Sequence, residues 1–249
     1  MKDATTVTTL FPGKLTVCTY GGFAPVCYKD KDKGLTGLDV VFLEKFVGWL
    51  KTDRGLDLSI DLKEHDFDGI WTLPGEGACD IAAAGIQRRD NRPVGEYASW
   101  SDSYFHVQRS LLVRATDKEA FDKYETVAGK KIVVTKGSTA DLDAHARYPL
   151  CLKTIEFVDQ YVTSESDAQA VIVELLKGGK IDAFGEGDVS NSYLAEKYGA
   201  GDLALADIHD IAGTDKETFN FVTRNASSGL LEQLNIFIKD KKGSYPLGK

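Results

Sequence analysis

Hydrophobic and polar positions along this chain follow two alternating patterns, and each pattern predicts one type of secondary structure. Apolar or alternating runs typical of strands lie at residues 15–20, 58–62, 81–86, 111–113, 131–135, 154–158, 181–184 and 219–223. Helix-like segments lie between them, at 39–51, after Phe67, from 137 onward, and at 166–177, 189–197 and 228–240. Asp39 is expected to cap the first of these helices. Regular alternation of strands and helices predicts an α/β fold.

The alternation is interrupted by polar residues 115–130 and restarts at residue 131. This interruption predicts two α/β units of similar size, without a low-complexity linker between them. A length of 249 residues fits one large domain or two domains of ordinary size. We expect extended hinge segments where the chain crosses between the units, around residues 104–109 and 214–220.

The composition is that of a soluble globular protein, because 43% of the residues are hydrophobic and 27% are charged. The formal net charge of −8 argues against a nucleic-acid partner. No apolar run approaches the length of a membrane-spanning helix. The first residues, MKDATTVTTLFPGK, lack the apolar core of a signal peptide. The protein is therefore expected to be either cytoplasmic or secreted. In the second case, a starting methionine would have replaced its signal peptide.

The four cysteines, Cys18, Cys27, Cys79 and Cys151, show no spacing typical of a metal or redox motif. Cys18 and Cys79 fall in predicted strands, where a free thiol usually behaves as a small apolar residue. Disulfides could form if the protein is secreted, but the sequence specifies no pairing. Four scattered histidines and the absence of ligand clusters argue against a metal site, and no cofactor is expected.

The segment that follows the predicted strand at 81–86 carries the strongest candidate chemistry. Gly85 lacks a side chain and lets a ligand approach the backbone. Arg88, Arg89 and Arg92 then lie beyond the carboxyl end of a buried strand, where open α/β sheets place their ligands. A planar guanidinium can bind a carboxylate with two parallel hydrogen bonds. The alternative is a solvated loop whose arginines make only exposed ion pairs.

A second polar turn, at 135–139, opens a predicted helix with Gly137, Ser138 and Thr139. Backbone N–H groups at helix starts favour anions. Two such turns, one in each unit, would make a closable cleft if they faced each other across a hinge. The alternative is that the second turn only caps its helix, which serine and threonine do routinely.

Several motifs, in consistent order and spacing, are similar to those of a known family. They are LTVCTYGGFAPVCYKDKDKGLTGLDV, DFDGI, CDIAAAGI followed by Arg92, SDSYF, KKIVVTKGSTA and LLKGGKIDAF. Through them nearly the whole chain resembles the extracellular amino-acid-binding proteins of ABC importers. It is most similar to the glutamine- and lysine/arginine/ornithine-binding proteins.

The resemblance implies an α/β, two-lobed periplasmic-binding-protein fold of type II, the Venus-flytrap arrangement, with two hinge strands and the ligand bound between the lobes. Residues 1–106 and 218–249 would form the first lobe, and residues 107–217 the second. It also implies a monomeric, periplasmic or extracellular protein without cofactor, whose partners are an amino acid or related carboxylate and the membrane permease of an ABC transporter.

By position in these motifs, the resemblance implies ligand-binding residues in the first lobe. Phe23 and Phe67 correspond to an aromatic pair that encloses the ligand's side chain, and Tyr20 to a position that often carries an acidic group. Gly85 would offer its carbonyl oxygen to the ligand's ammonium group, and Arg92 would bind the α-carboxylate. Without the resemblance, phenylalanines in a loop or at a helix start are more often core residues.

The resemblance implies further ligand contacts in the second lobe. The backbone N–H of Thr139 would reach the carboxylate, and Thr135 lies at a ligand-facing position of the same turn. The family's ammonium-binding acid aligns with Gly187, between Glu186 and Asp188. A shift of one residue would place Asp188 there. If neither acid reaches the site, the ligand need not be an α-amino acid.

The chain departs from the family pattern after the glycine of its anion-binding loop. Gln87 stands where the family usually has a carboxylate-binding threonine, and the segment between Arg92 and Asp102 is longer than expected. Arg88 and Arg89 add positive charge that would suit a second acidic group, as in glutamate or aspartate. A helix beginning there would instead point both side chains outward.

Three functional classes are consistent with the sequence. A binding protein that delivers a small carboxylate-bearing solute, preferably a polar amino acid, to a permease is the favoured interpretation, and no catalytic residue is assigned. Some relatives on this fold are cyclohexadienyl dehydratases, which need a catalytic acid where this chain has Ser190. The third class is the ligand-sensing domain of a receptor, which would require a membrane segment.

Overall fold

A computed structural model describes residues 6–121, 124–147, 154–164, 168–206 and 217–241. The chain divides into two compact units. Unit 1 comprises Met1–Gly21, Val26–His106 and Thr218–Lys249, and unit 2 comprises Gly22–Pro25 and Val107–Glu217. Each unit contains a five-stranded sheet and helices, which confirms the predicted α/β class.

The secondary-structure elements follow the predicted alternation along the chain. The strands are β1 (Lys14–Thr19), β2 (Gly22–Phe23), β3 (Cys27–Asp30), β4 (Gly34–Thr36), β5 (Ser59–Glu64), β6 (Ile81–Gln87), β7 (Ala98–Val107), β8 (Arg109–Arg114), β9 (Ile132–Val134), β10 (Ile155–Phe157), β11 (Ala183–Gly187), β12 (Leu203–Leu205) and β13 (Glu217–Arg224). The α-helices are α1 (Leu38–Arg54), α2 (Tyr124–Val127), α3 (Thr139–Arg147), α4 (Ala168–Lys177), α5 (Asp188–Tyr198) and α6 (Leu230–Lys241). Short 3-10 helices lie at Ile70–Thr72, Ala115–Phe121 and Val158–Gln160.

The sheet of unit 1 has the strand order β5-β1-β6-β13-β7. Its first three strands are parallel, and β13 pairs antiparallel to β6. Helix α1 packs on this sheet and on α6 through aromatic residues. Phe42 stacks against Phe221 and Tyr104 and contacts Phe237 edge-on, with ring centroids 5.2–5.8 Å apart. This aromatic core holds α1 against the strands that precede the candidate loop.

Asp39 does not cap α1, so that prediction is wrong. The helix begins one residue earlier, its N-cap is Gly37, and no side chain makes a cap hydrogen bond. A Cβ atom at Gly37 would collide with the backbone of Val26, and the glycine φ of 129° is rarely open to other residues. Asp39 instead lies in the first turn, fully buried, and its carboxylate points into the unit.

The sheet of unit 2 has the order β10-β9-β11-β8-β12 and buries apolar side chains on both faces. Consecutive residues of a strand point to opposite faces. Accordingly Leu111 and Val113 pack in the cluster that includes Ala140 and Ala144 of α3, and Leu112 packs with the residues of α4 and α5. A strand buried on both faces reads as a continuous apolar run, which is why the sequence located it.

Two of the boundaries between the units lie inside strands. They lie at His106/Val107 within β7 and at Glu217/Thr218 within β13. Residues 214–216 of the second expected hinge lie outside the described part of the chain. The segment Gly22–Pro25 belongs to unit 2, which differs from the expected assignment of all of residues 1–106 to one lobe.

Cys18 and Cys79 form a disulfide, a pairing that the sequence left open. Cys79 also precedes β6 rather than lying in it. The bond joins β1 to the segment just before β6, with the two Cα atoms 5.8 Å apart and a sequence separation of 61 residues. Cys27 is buried, and Cys151 lies outside the described residues.

Candidate functional site

Arg92 is buried within unit 1, with 2% of its surface exposed. It follows β6 in a turn, where its backbone N–H donates to the Arg89 carbonyl oxygen at 3.0 Å. Its Nη1 donates to the Gln87 carbonyl oxygen at 3.1 Å. No helix begins in this segment, so the expected helix start is wrong. The turn itself folds the arginine back over the end of β6.

Two aromatic rings lie against the Arg92 guanidinium. Its central carbon is 5.4 Å from the ring centroid of Phe67 and 5.0 Å from that of Trp71. The edge of Phe67 also contacts Trp71 and Tyr20, at centroid distances of 6.2 and 5.8 Å. All three rings are buried. Cation–π attraction is stronger in such a desolvated setting than at a protein surface.

The structure brings together Tyr20, Phe67 and Arg92, three of the residues chosen from the sequence. Trp71 is a fourth member that the sequence analysis missed. Its signal was its position four residues after Phe67, at a 3-10 helix that begins at Ile70. The other two arginines of the loop differ from Arg92, because Arg88 is exposed and Arg89 is half-buried.

Gly85 lies at an irregularity in β6 next to Arg92's turn. Its φ of 59° is in the left-handed region, which favours glycine. The pairing with β13 shifts there, since Ala82 pairs with Val222 but Ile86 pairs with Asn220. Residues 83–85 of β6 therefore lie opposite the single residue Phe221 of β13. This arrangement is like a β-bulge, which commonly redirects backbone groups near functional sites.

A buried carboxylate fixes the backbone at Gly85. The Gly85 N–H donates to Asp39 Oδ2 at 2.8 Å, and the Tyr104 hydroxyl donates to Asp39 Oδ1 at 2.7 Å. Because both carboxylate oxygens are used, Asp39 positions the bulge and is not itself a ligand candidate. The sequence pattern predicted a helix cap at Asp39 and gave no sign of this role.

Gln87 ends β6 and presents a buried acceptor. Its backbone carbonyl accepts from Arg92, whereas its side-chain Oε1 is buried and has no hydrogen-bond partner among the described residues. A buried polar atom without a partner is costly, and such atoms often mark a place for water or ligand. Gln87 therefore stays a candidate beside Arg92.

Phe23 and Phe67 belong to different units, so the structure does not place them together as an aromatic pair of one lobe. Phe23 lies in β2, which packs against α4 of unit 2, and is 6% exposed. Its neighbour Ala24 is bound by hydrogen bonds to Gln169 and Ser190. These contacts explain why the segment belongs to unit 2.

The polar turn of unit 2 caps α3, as the alternative interpretation proposed. Ser138 Oγ accepts from the Asp141 N–H at 3.0 Å, and Asp141 Oδ2 accepts from the Gly137 N–H at 2.9 Å. These reciprocal bonds use the side chain of Ser138 but not that of Thr139. Thr139 is the first residue of the nine-residue helix, where backbone N–H groups have no intrahelical partner. Thr135 lies in the same turn, 4% exposed.

Asp188 holds the start of α5 to the junction between β7 and β8. Its Oδ1 accepts from the N–H groups of Gln108 and Val189 at 3.1 and 2.9 Å, and its own N–H donates to the Gln108 carbonyl oxygen at 2.8 Å. Glu186 Oε1 accepts from the Gly187 N–H at 3.0 Å. Both acids therefore have backbone partners within unit 2.

Ser190, where an enzyme of this fold would need an acid, is fully buried. Its hydroxyl donates to the Ala24 carbonyl oxygen at 2.7 Å and accepts from Gln169 Nε2 at 3.0 Å. In the described part of the chain, no group of His, Cys, Asp or Glu side chains is arranged to hold a metal ion. Nor does any helix of that part have the length and hydrophobicity needed to cross a membrane.

Comparison with protein families gives a match over most of the chain. Residues 15–246 match the family profile of the bacterial extracellular solute-binding proteins, family 3. A 122-residue region is 30% identical to the probable ABC transporter extracellular-binding protein YckB of Bacillus subtilis (strain 168). That region covers 48% of this chain and 40% of the relative, so the chain matches less than half of the curated relative's length.

Solved structures share the fold across both units. An amino acid ABC transporter substrate-binding protein from Streptococcus pneumoniae Canada MDR_19A, bound to L-arginine, is 23% identical with a TM-score of 0.74, covering 93% of this chain and 89% of that one. An ancestral amino acid-binding protein, a precursor of cyclohexadienyl dehydratase, is 22% identical with a TM-score of 0.70, covering 94% and 92%. These matches confirm the expected two-lobed periplasmic-binding-protein fold.

Proposed function

Because the chain belongs to the bacterial extracellular solute-binding proteins, family 3, we propose that it captures a small carboxylate-bearing solute, with polar amino acids as the favoured class. The observation that carries this proposal is the burial of Arg92 against the rings of Phe67 and Trp71. The protein would then deliver the solute to the membrane permease of an ABC transporter.

The charge of Arg92 favours an anionic ligand group. Its guanidinium is buried and lies against a carbonyl oxygen and two aromatic rings. A planar guanidinium can bind a carboxylate with two parallel N–H···O bonds, and such charge-assisted bonds are stronger than bonds between neutral groups.

The same unit offers acceptors for an amino group on the ligand. The Gly85 N–H is already bound to Asp39, and the bulge redirects the backbone at this residue. We assign the Gly85 carbonyl and the unpartnered Gln87 Oε1 to the ligand's donors. Asp188 is a weaker candidate than the sequence predicted, because two backbone N–H groups already bind its Oδ1.

The remaining candidates would enclose the ligand. The rings of Tyr20, Phe67 and Trp71 form a buried apolar wall in unit 1 that suits an aliphatic stem. We assign Phe23, Thr135 and Thr139 of unit 2 to the same ligand. Arginine in the solved relative from S. pneumoniae supports an amino acid as the ligand class.

We infer that the protein acts by binding rather than catalysis. The hydroxyl of Ser190 is fully buried and engaged in two hydrogen bonds. Serine cannot replace a carboxylic acid as a proton donor near neutral pH. We also propose that the protein is a monomer located in the periplasm or outside the cell.

A thermal-shift screen of stripped protein tests the ligand class. The probes are L-arginine, L-glutamine, L-glutamate and L-aspartate, with agmatine, which lacks the carboxylate, as the matched control for L-arginine. A probe at a hundred times its dissociation constant should stabilise the fold by about 2.7 kcal/mol. The proposal would be contradicted if agmatine stabilised the protein as much as L-arginine does. It would also be contradicted if none of the four amino acids stabilised the protein.

A further inference from the structure

The segment Gly22–Pro25 is fastened to unit 2 by a small buried network. Gln169 Oε1 accepts from the Ala24 N–H at 3.1 Å, and Gln169 Nε2 donates to the Ala24 carbonyl oxygen at 3.2 Å. One side-chain amide thus pairs with both backbone groups of one residue, as a neighbouring strand would. Ser190 adds a 2.7 Å hydrogen bond to the same carbonyl and accepts a bond from Gln169.

The network is buried, so the loss of any of its hydrogen bonds is expected to destabilise the protein. The exposed fractions are 8% for Gln169, 0% for Ser190 and 4% for Ala24. Gln169 lies near the start of α4, among apolar residues such as Ile172 and Val173 that pack on the sheet. A glutamine there is costly unless its amide is fully bonded. An apolar side chain at position 169 would pack α4 against its neighbours equally well. Packing alone therefore does not explain why a glutamine is present there.

The hydrogen bond to Ala24 constrains the backbone next to Phe23. The Ala24 N–H belongs to the same planar peptide group as the carbonyl of Phe23, and this group is rigid. Holding this N–H on Gln169 therefore sets the backbone direction at Phe23, whose strand β2 also packs against α4. Phe23 is thus positioned by unit 2, although most of its sequence neighbours belong to unit 1.

We propose that Gln169 and Ser190 are positioning residues for ligand binding, acting through Ala24 to hold Phe23 in place on unit 2. This inference rests on the proposed function, in which Phe23 contacts the ligand. Neither Gln169 nor Ser190 needs to touch the ligand. Selectivity among amino-acid side chains would then depend on two buried residues of α4 and α5.

Hydrogen exchange of the Ala24 amide tests the anchoring without any ligand. Gln169→Met keeps the length of the side chain and removes both amide bonds, so exchange at Ala24 should accelerate roughly tenfold or more. Gln233→Met is the matched control, because Gln233 is a buried glutamine of α6 in unit 1 that accepts from Arg54. The control should leave exchange at Ala24 unchanged. Unchanged exchange in folded Gln169→Met would overturn the proposal.

Calorimetric titration with L-arginine and L-glutamine tests the link to binding. Gln169→Met should weaken binding of the tighter probe at least about fivefold, and Ser190→Ala should weaken it less. In a double-mutant cycle, Gln169→Met should add little to Phe23→Ala, because both changes act through one ring. Fully additive effects would overturn the positioning role. If the parent protein binds neither probe, the proposed function fails, and the exchange measurement still decides whether Gln169 anchors the segment.

Discussion

Arg92 and its two arginine neighbours share a loop but differ in burial, and this difference predicts different mutational effects. Arg92→Ala should weaken binding of the amino acid found in the thermal screen by roughly thirty- to several-thousand-fold, because truncating one partner of a buried charge pair costs about 2–5 kcal/mol. Arg92→Lys should also weaken binding, since lysine keeps the charge but lacks the planar fork. Titration calorimetry measures each affinity.

Arg88→Ala is the control for this prediction, because Arg88 is exposed and should change affinity by no more than about threefold. If Arg92→Ala binds within threefold of the parent while Arg89→Ala does not, the anion site belongs to Arg89. The alignment of this loop with the family would then be wrong.

Asp39 gives a second prediction for a single residue. Asp39→Asn replaces one of two buried acceptors with a donor, which would then face either the Gly85 N–H or the Tyr104 hydroxyl. We expect the free energy of unfolding, measured in urea, to fall by about 1–3 kcal/mol. Asp57→Asn serves as the control, since its ion pair with Lys51 is exposed. A stability of Asp39→Asn equal to that of the control would contradict the role given to Asp39.

At the scale of secondary-structure elements, the disulfide that joins β1 to the segment before β6 predicts how unit 1 responds to reduction. Closing a loop of 61 residues stabilises the fold by about 4 kcal/mol in the chain-entropy description. The double variant Cys18→Ser/Cys79→Ser should lose stability of this order in denaturant unfolding. Dithiothreitol should destabilise the parent by a larger amount than the double variant. Equal sensitivity of the two proteins would show that the Cys18–Cys79 bond does not form in solution.

The sequence located the elements whose apolar pattern is continuous or strictly periodic. It predicted only an extended segment around 104–109 where β7 runs from Ala98 to Val107, because the buried positions of this last strand of the sheet do not alternate. It also missed the two short strands of the β3–β4 hairpin and β12, which are too short to show a period. Such strands depend on their partners rather than on their own pattern.

The candidate site was predictable to the extent that it depends on local sequence and on the family resemblance. Arg92 and Phe67 were found in this way. The pairing of Cys18 with Cys79 was not, because it follows from the parallel register of β1 and β6, in which Cys18 pairs with Ala82. The placement of Phe23 was missed for a similar reason, since its partners Gln169 and Ser190 are distant in sequence.

At the scale of the whole molecule, the division of the candidate residues predicts a conformational response to ligand. Arg92 lies in unit 1, Thr139 lies in unit 2, and the chain crosses between the units in β7 and β13. A ligand that binds residues of both units should reduce the radius of gyration by hinge closure. Small-angle scattering at saturating amino acid measures this change. An unchanged radius would contradict closure unless the free protein were already closed.

The position of β13 has a consequence for the order in which the protein is made. This strand lies between β6 and β7 in the sheet of unit 1, yet it comes from near the end of the chain. During synthesis, residues 26–106 leave the ribosome with the hydrogen-bonding edges of β6 and β7 open, because their shared neighbour has not been translated. Unpaired strand edges invite association with other chains. Unit 2, which is nearly continuous in sequence, can therefore be completed first, and a nascent chain arrested before residue 217 lacks an interior strand of unit 1.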